Sequence, residues 1–278
     1  LVYSNSEDAV TSRRDLGDLI GHECVLLFPA REIMPFETSD NQEALWMRVS
    51  CLSKLLLDES RPFAVVMPAT ALSRKLMEKE QFLEGCFRLH VGSRHFPDAL
   101  VRDLVRFGYS RVSSIECKGE VALRGGILDV FPPTADNPYR IEFFDDEVDS
   151  IRCFELASQV STHSVDEALI VPASDFSIIA QDEDSKKALA SGSTIFEYLP
   201  SSSLTVVDEY SKCLDLIEEF EKIGLDIASA RMIAGTMQPE DASIYFPSSL
   251  TKSYLSKSSL VLASFLRDFP GLAPKIVI

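Results

Sequence analysis

The chain has no G-x-x-x-x-G-K-[ST] loop, no C-x-x-C pair and no apolar run near the ~20 residues that a membrane span needs. Without a loop to cradle phosphate, nucleotide hydrolysis lacks its first requirement. The four histidines are scattered, which speaks against a zinc centre. The six cysteines, Cys24, Cys51, Cys86, Cys117, Cys153 and Cys213, lie far apart, so a disulfide framework is not expected. Reduced thiols fit a cytoplasmic protein. Positive charge is scarce. Lys and Arg number 27 against 43 Asp and Glu, a net charge of −16. Phosphate binding needs concentrated Lys and Arg, so nucleic acid is a poor candidate for the main partner. A small basic spot for an acidic protein stays possible. The opening residues Leu1-Val2-Tyr3 do not read as a charged and apolar leader. The chain opens on Leu1 without Met and stops on "PKIVI", which reads as a piece of a longer protein.

What is present is ordinary for a globular protein: 278 residues, 46% hydrophobic and 25% charged, a length that points to two domains. Over residues 1–86, "CVLLF" (Cys24 to Phe28) and "FAVVM" (Phe63 to Met67) read as buried parallel strands, each followed by proline. Ala44 to Leu57 between them reads as a helix, so the region predicts an open α/β sheet.

Residues 87–174 have another texture. "DALVRDLVRFGY" (Asp98 to Tyr109) predicts one amphipathic helix stopped near Gly108. Short strands with turn signals follow, which predicts a compact α+β domain with an antiparallel sheet. Asp145-Asp146 marks a hairpin turn. A two-residue turn there puts Val148 opposite Phe143 but then exposes Ile151. A bulge in the second strand, or a longer turn, is therefore expected.

Residues 175–194 are polar and acidic and read as a linker, or an exposed helix with its loop. "SLTVVDEYSKCLDLIEEFEKIG" then runs strand into helix, with Asp208 as N-cap, Leu214, Ile217, Phe220 and Ile223 on one face, and Gly224 as the stop. "SLVLASFL" (Ser259 to Leu266) reads as a buried strand or short helix. The simplest organisation is one α/β domain, 1–86 and 175–278, interrupted by an α+β insert at 87–174.

Several features invite a chemical reading. Val206-Val207-Asp208-Glu209 resembles a Walker B strand end, where carboxylates hold Mg²⁺, but a helix start explains both acids as well. Gly125-Gly126 has neither the spacing nor the helix of a phosphate loop and reads as a hairpin bend or bulge. His90 and His95 have no evident acid or nucleophile partner. "DDEVD" (Asp145 to Asp149) lacks the glycine and spacing of a calcium loop and reads as a solvated turn.

The stretch "RGGILDVFPPTADNPYRIEFF" (Arg124 to Phe144) is different. Strand alternation puts Tyr139, Ile141 and Phe143 on an apolar face, and Arg140, Glu142 and Phe144 on the other. Arg124, Arg140 and Phe144 are candidates for a recognition surface, because Arg and aromatics are enriched at interface hot spots. In the competing arrangement Arg140 pairs with Glu142 or Asp129 and Phe144 closes a local cluster. Patterning alone leans to that second arrangement.

The same residues carry a family resemblance. "GYSRV…GEVALRGGILDVFPP…PYRIEFFDDEVDSIRCFE" strongly resembles the UvrB-like second domain of bacterial transcription-repair coupling factors. "LLFPAREIMPFE" (Leu26 to Glu37) is similar to that family's FPxxETLPY phrase, with Ile33-Met34 for Thr-Leu and Phe36 for Tyr. "IFEYLPSSSLTVVDEY" resembles the return into the α/β domain. The match covers most of residues 1–210 and is weakest after about 225. The excision subunit UvrB shares the fold but carries an intact Walker A, so it matches less well.

The resemblance implies a degenerate P-loop NTPase-like (RecA-like) α/β domain without nucleotide chemistry, interrupted by a UvrB-like domain that binds UvrA. It assigns the contact positions to Arg124, Arg140 and Phe144, with Arg140→Ala or Phe144→Ala expected to weaken UvrA binding and leave the fold intact. It places the ATP- and Mg-dependent motor, and the contacts to RNA polymerase and DNA, outside this chain. No catalytic residue, metal or cofactor is expected here, and no membrane partner. The alternatives are an active ATPase or nucleic-acid enzyme using Asp208 and Glu209, and direct DNA binding by the α/β part, which the acidic balance disfavours.

Overall fold

A computed structural model of the protein describes residues 1–31, 36, 41–58, 64–176 and 192–263. The chain divides into two compact units, one of residues 1–76 with 189–278 and one of residues 77–188.

The first unit is built on five short parallel strands: β1 (Val2–Tyr3), β2 (Val25–Leu27), β3 (Ala64–Pro68), β12 (Val206–Asp208) and β13 (Leu260–Leu262), in the order β13-β12-β1-β3-β2. The predicted parallel pair "CVLLF" and "FAVVM" is the β2–β3 edge. Helix α1 (Ser6–Ile20) starts where Asn5 Oδ1 accepts the Asp8 N–H at 2.8 Å. Helix α2 (Gln42–Leu57) starts the same way, with Asn41 Oδ1 accepting the Ala44 N–H at 3.0 Å. Both are strand-to-strand crossovers, as a parallel sheet requires.

Helix α6 (Tyr210–Ile233) corrects two expectations. Asp208 is not its N-cap. Asp208 is still in the sheet, paired with Leu262, and the cap position falls to Glu209 in the left-handed region at φ 51°. Gly224 does not stop the helix either. Ile217, Phe220, Gly224 and Ala228 form one buried stripe at helical spacing, and that packing outweighs the ~1 kcal/mol helix penalty of a glycine. A four-residue helix, α5 (Ile195–Tyr198), and α7 (Ser248–Leu255) complete the described helices of this unit. Most of the acidic stretch 175–194 and the end of "SLVLASFL" lie outside the described residues, as does most of the "REIMPFE" phrase. Phe36 is described. It is buried, its N–H donates to Tyr245 Oη at 3.1 Å, and the two rings meet edge to face.

The second unit opens with α3 (Lys79–Glu84) and β4 (Phe87–His90). Helix α4 (Pro97–Arg106) follows, closed by Gly108 at φ 99°, as expected. Then come β5 (Ser110–Arg111), β6 (Glu120–Arg124), β7 (Ile127–Val130), β8 (Tyr139–Phe144), β9 (Glu147–Phe154), β10 (Ser161–Ser164) and β11 (Glu167–Ile170). Strands β5 to β10 form one sheet in chain order, antiparallel except for β5 with β6, while β11 pairs with β4. One face of the large sheet packs on α4 through Leu100, Leu104, Val121, Leu128, Ile141 and Ile151. On the other face a smaller cluster, including Ile115, Ala122, Phe131 and Phe154, covers only one end.

The β8–β9 hairpin settles the register question. Its turn is the two residues Asp145-Asp146, with Asp145 at φ 58°. Phe143 pairs with Val148, yet Glu142 pairs with Ser150, so Asp149 is an extra residue on β9. This bulge keeps both Val148 and Ile151 buried, as expected. Among the described residues no helix is long and apolar enough to cross a membrane.

Candidate docking face

Strand pairing brings the outer-face residues into rows, because directly opposed residues of an antiparallel pair project to the same side. Asp129, Arg140 and Arg152 form one row across β7, β8 and β9. Ile127, Glu142 and Ser150 form the next, with Arg124 opposite Ile127. Phe144 and Glu147 stand one row further, beside the hairpin tip.

Gly125-Gly126 is the two-residue turn between β6 and β7, with only Gly125 at positive φ (61°), the pattern of a type II′ hairpin. Gly126 is needed for close approach. The Phe143 N–H donates to its carbonyl at 2.8 Å, and an added Cβ would stand 2.8 Å from the Phe143 oxygen.

Asp129 organises the two arginines. Its side chain is 1% exposed. It accepts the Nε and Nη2 protons of Arg140 at 2.8 and 2.9 Å, a bidentate pair, and the Nη2 proton of Arg124 at 2.5 Å. Arg140 also donates through Nη1 to the Gln159 carbonyl at 3.1 Å and lies 4.5 Å over the buried Phe154 ring. The hydrogen bonds to Asp129 push the Arg140 guanidinium further up, against the opposing effect of burial. Its charge is therefore permanent. Glu142 is held by Arg152 and by the Ser150 hydroxyl at 3.1 Å.

The three predicted residues are thus not equivalent. Arg140 pairs with Asp129, one of the two local partners patterning allowed, and is only 17% exposed. Arg124 is 50% exposed, and among the described residues makes only the one bond to Asp129. Phe144 closes no cluster. It is 80% exposed, the open half of the alternative that patterning disfavoured. The structure brings Arg124 and Arg140 together on Asp129, while Phe144 stands about 10 Å across and about 7 Å along the sheet from Arg124 by strand spacing. Arg140 is also structural, so the expectation that Arg140→Ala leaves the fold intact does not follow from this geometry. Reasoning from sequence missed the roles of Gln159 and Phe154, which fix Arg140. Only pairing β9 with β8 and folding the 155–160 loop back over the sheet reveals them. Gln159 itself sits at φ 58°, with its side chain donating to the Ile115 and Leu156 carbonyls.

A short segment extends the sheet past β9. Gly92 N–H donates to the Val148 carbonyl at 2.8 Å, Val148 N–H to Ser93 at 2.9 Å and His95 N–H to Asp146 at 2.7 Å. His95 is held below the usual histidine range, mainly by burial and then by His90. The two histidines flank this segment, which gives the loop a structural explanation.

Asp208 and Glu209 sit at the carboxyl end of β12. Burial, then Glu209 and Asp8, raise the Asp208 carboxyl above its ordinary range. Among the described residues no group of three or more His, Cys, Asp or Glu is placed to hold a metal ion.

Residues 87–176, the α4-and-sheet part of the second unit, match the family model described as the UvrB interaction domain. The wider chain is similar to curated proteins named transcription-repair-coupling factor. The identity is 34% over 190 residues with that of Bacillus subtilis (68% of this chain, 16% of the relative). It is 29% over 265 residues with that of Staphylococcus haemolyticus (95% and 22%). For Myxococcus xanthus it is 36% over 165 residues (59% and 14%). Within the second unit, residues 87–176 are therefore similar to the UvrB interaction domain. The chain is related to the transcription-repair-coupling factors and spans between 14% and 22% of the length of these three.

Proposed function

We propose that this chain is a protein-docking module that recruits UvrA to RNA polymerase stalled at DNA damage, as a step in nucleotide excision repair. Docking uses the outer sheet face, with Phe144 as anchor, Arg124 as an exposed charge and Arg140 as a fixed charge behind it. The observation that carries the reading is Phe144, 80% exposed on a rigid strand of a UvrB interaction domain, beside arginines held by a buried carboxylate. A large aromatic costs solvation when it faces water. Its burial against a partner recovers that, and preformed arginines add directed bonds at little entropic cost.

In this reading the first unit is a degenerate P-loop NTPase-like, RecA-like sheet that holds the UvrB-like insert and does no nucleotide chemistry. The chain is not an enzyme and needs no cofactor. The ATP- and Mg-dependent motor, and the contacts with polymerase and DNA, lie in other parts of the longer relatives. Supporting this is the absent phosphate loop in front of Asp208. Titrating the 278-residue chain into UvrA, with Phe144→Ala alongside, tests the docking claim; equal affinities would sink it. An ATP-turnover assay with Mg²⁺ tests the rest, and turnover above the blank that Asp208→Asn abolishes would restore the enzyme reading.

A further inference from the structure

The docking face does not end at β9. In the 92–95 segment, Arg94 is the bridge partner of Glu147, which is itself the partner of Phe144. The three therefore form one row on the outer face, and the neighbouring Val148 points into the core. Arg94 is 71% exposed. Its nitrogens lie 3.7 Å from Asp146 and 3.6 Å from Glu147, too long for hydrogen bonds, and an exposed pair of this kind contributes little. Arg94 is thus a cation held in place by the backbone but only weakly engaged by its neighbours.

Phe144 consequently lies between two exposed arginines, Arg94 about 10 Å across the sheet in its own row and Arg124 on the β6 side, about 10 Å across and about 7 Å along. The tip they flank carries Asp145, Asp146 and Glu147, and the whole chain has a net charge of −16. The chain as a whole therefore repels an acidic partner, and weakly paired exposed arginines relieve that repulsion locally.

We infer that the docking face extends across β9 to Arg94, and that the partner surface is an apolar pocket for Phe144 with a carboxylate on each side. A partner carboxylate at Arg94 takes over from Glu147 as counter-ion. The inference rests on the UvrA reading. Charge at the rim of an interface acts on association and on its salt dependence, whereas a central anchor acts on dissociation.

The test is stopped-flow or surface binding of the 278-residue chain to UvrA at low and high salt. Arg94→Glu is expected to slow association about tenfold at low salt, with the deficit shrinking as salt rises, and Arg94→Gln to slow it about threefold. Glu147→Gln, which removes the competing carboxylate, is expected to speed association about twofold. Phe144→Ala serves as the control for the face and raises the dissociation rate. If Phe144→Ala weakens binding while the Arg94 variants associate normally, the extension to Arg94 is wrong and the UvrA reading stands. If Glu147→Gln slows association, the counter-ion exchange is wrong. If no variant, Phe144→Ala included, changes binding, the UvrA reading itself fails.

Discussion

In the first unit five parallel strands are joined by crossovers, so the chain must return along the sheet between every pair, and polar side chains gather at strand ends such as Asp208. In the second unit six strands follow one another in chain order, one face packed on α4 and the other covered by a smaller cluster at one end. A parallel sheet of the first kind offers chemistry at its carboxyl edge, if the loops there supply it. An antiparallel sheet with an open face offers a rigid, patterned surface. The sequence of the first unit has no G-x-x-x-x-G-K-[ST] loop, whereas the outer sheet face of the second unit holds an ordered set of charges and the exposed ring of Phe144. On the function proposed above, recognition sits on the sheet face and the strand ends serve as scaffold.

The largest expected effect comes from breaking the charge set under that face. Arg140→Ala removes the bidentate partner of a carboxylate that is 1% exposed and leaves it with Arg124 alone. The second unit should lose about 3 kcal/mol, read from urea unfolding followed by hydrogen exchange in β7 and β8. A loss below ~1 kcal/mol would mean that Asp129 is adequately served without it. Next is Phe144→Ala, which should weaken UvrA binding by about 2 kcal/mol or more while stability stays within ~0.5 kcal/mol, because the ring touches little in the free chain. Together the two variants separate the face that holds itself together from the part that waits for a partner. A smaller loss, about 1–2 kcal/mol of stability, is expected for Gly126→Ala, whose new methyl meets the Phe143 backbone oxygen. A melting curve shows it.

The smallest effect belongs to the first unit. The Asp208 carboxyl is raised above its ordinary 3.8, mainly by burial, so its ionised form is less comfortable in the folded chain than in the unfolded one. Ionised Asp208 therefore costs stability at neutral pH, and the cost fades as pH falls through the raised value and is gone below 3.8. Asp208→Asn should raise the melting temperature slightly at pH 7 and not below pH 3.8, with UvrA affinity unchanged. A variant that melts lower at pH 7 would show the carboxylate to be a needed partner.

Much of this architecture is legible in the sequence where one physical signal dominates. The apolar runs around Val25 and Val65 have no competing pattern and become neighbouring strands. The Phe143–Ile151 conflict is arithmetic in period two, and a bulge that leaves one residue unpaired resolves it. Gly224 and Asp208 were misread because local rules for glycine and for capping acids gave way to tertiary packing: a buried stripe carries the helix on, and a ladder bond keeps Asp208 in its strand. At the candidate site, alternation placed Arg140 and Phe144 on one face. It did not show that Arg140 would be roofed by Phe154 and Gln159 while Phe144 stayed bare, since those neighbours come from β9 and the loop beyond it.

The extra residue Asp149 has a wider meaning for how the hairpin is specified. It is an odd residue, and the bulge takes up the phase error that it brings. On its turn side Val148 faces inward, and on its far side Ile151 does so again, three positions on rather than two. Deleting Asp149 would close the bulge and leave Val148 and Ile151 two positions apart, so every residue from Ser150 to Phe154 would keep its face and its partner on β8. Insertion of a second extra residue into β9 would need a second bulge, or would turn every residue beyond it to the opposite face. The separation of greasy side from charged side in the second unit thus survives an odd residue because the bulge absorbs it.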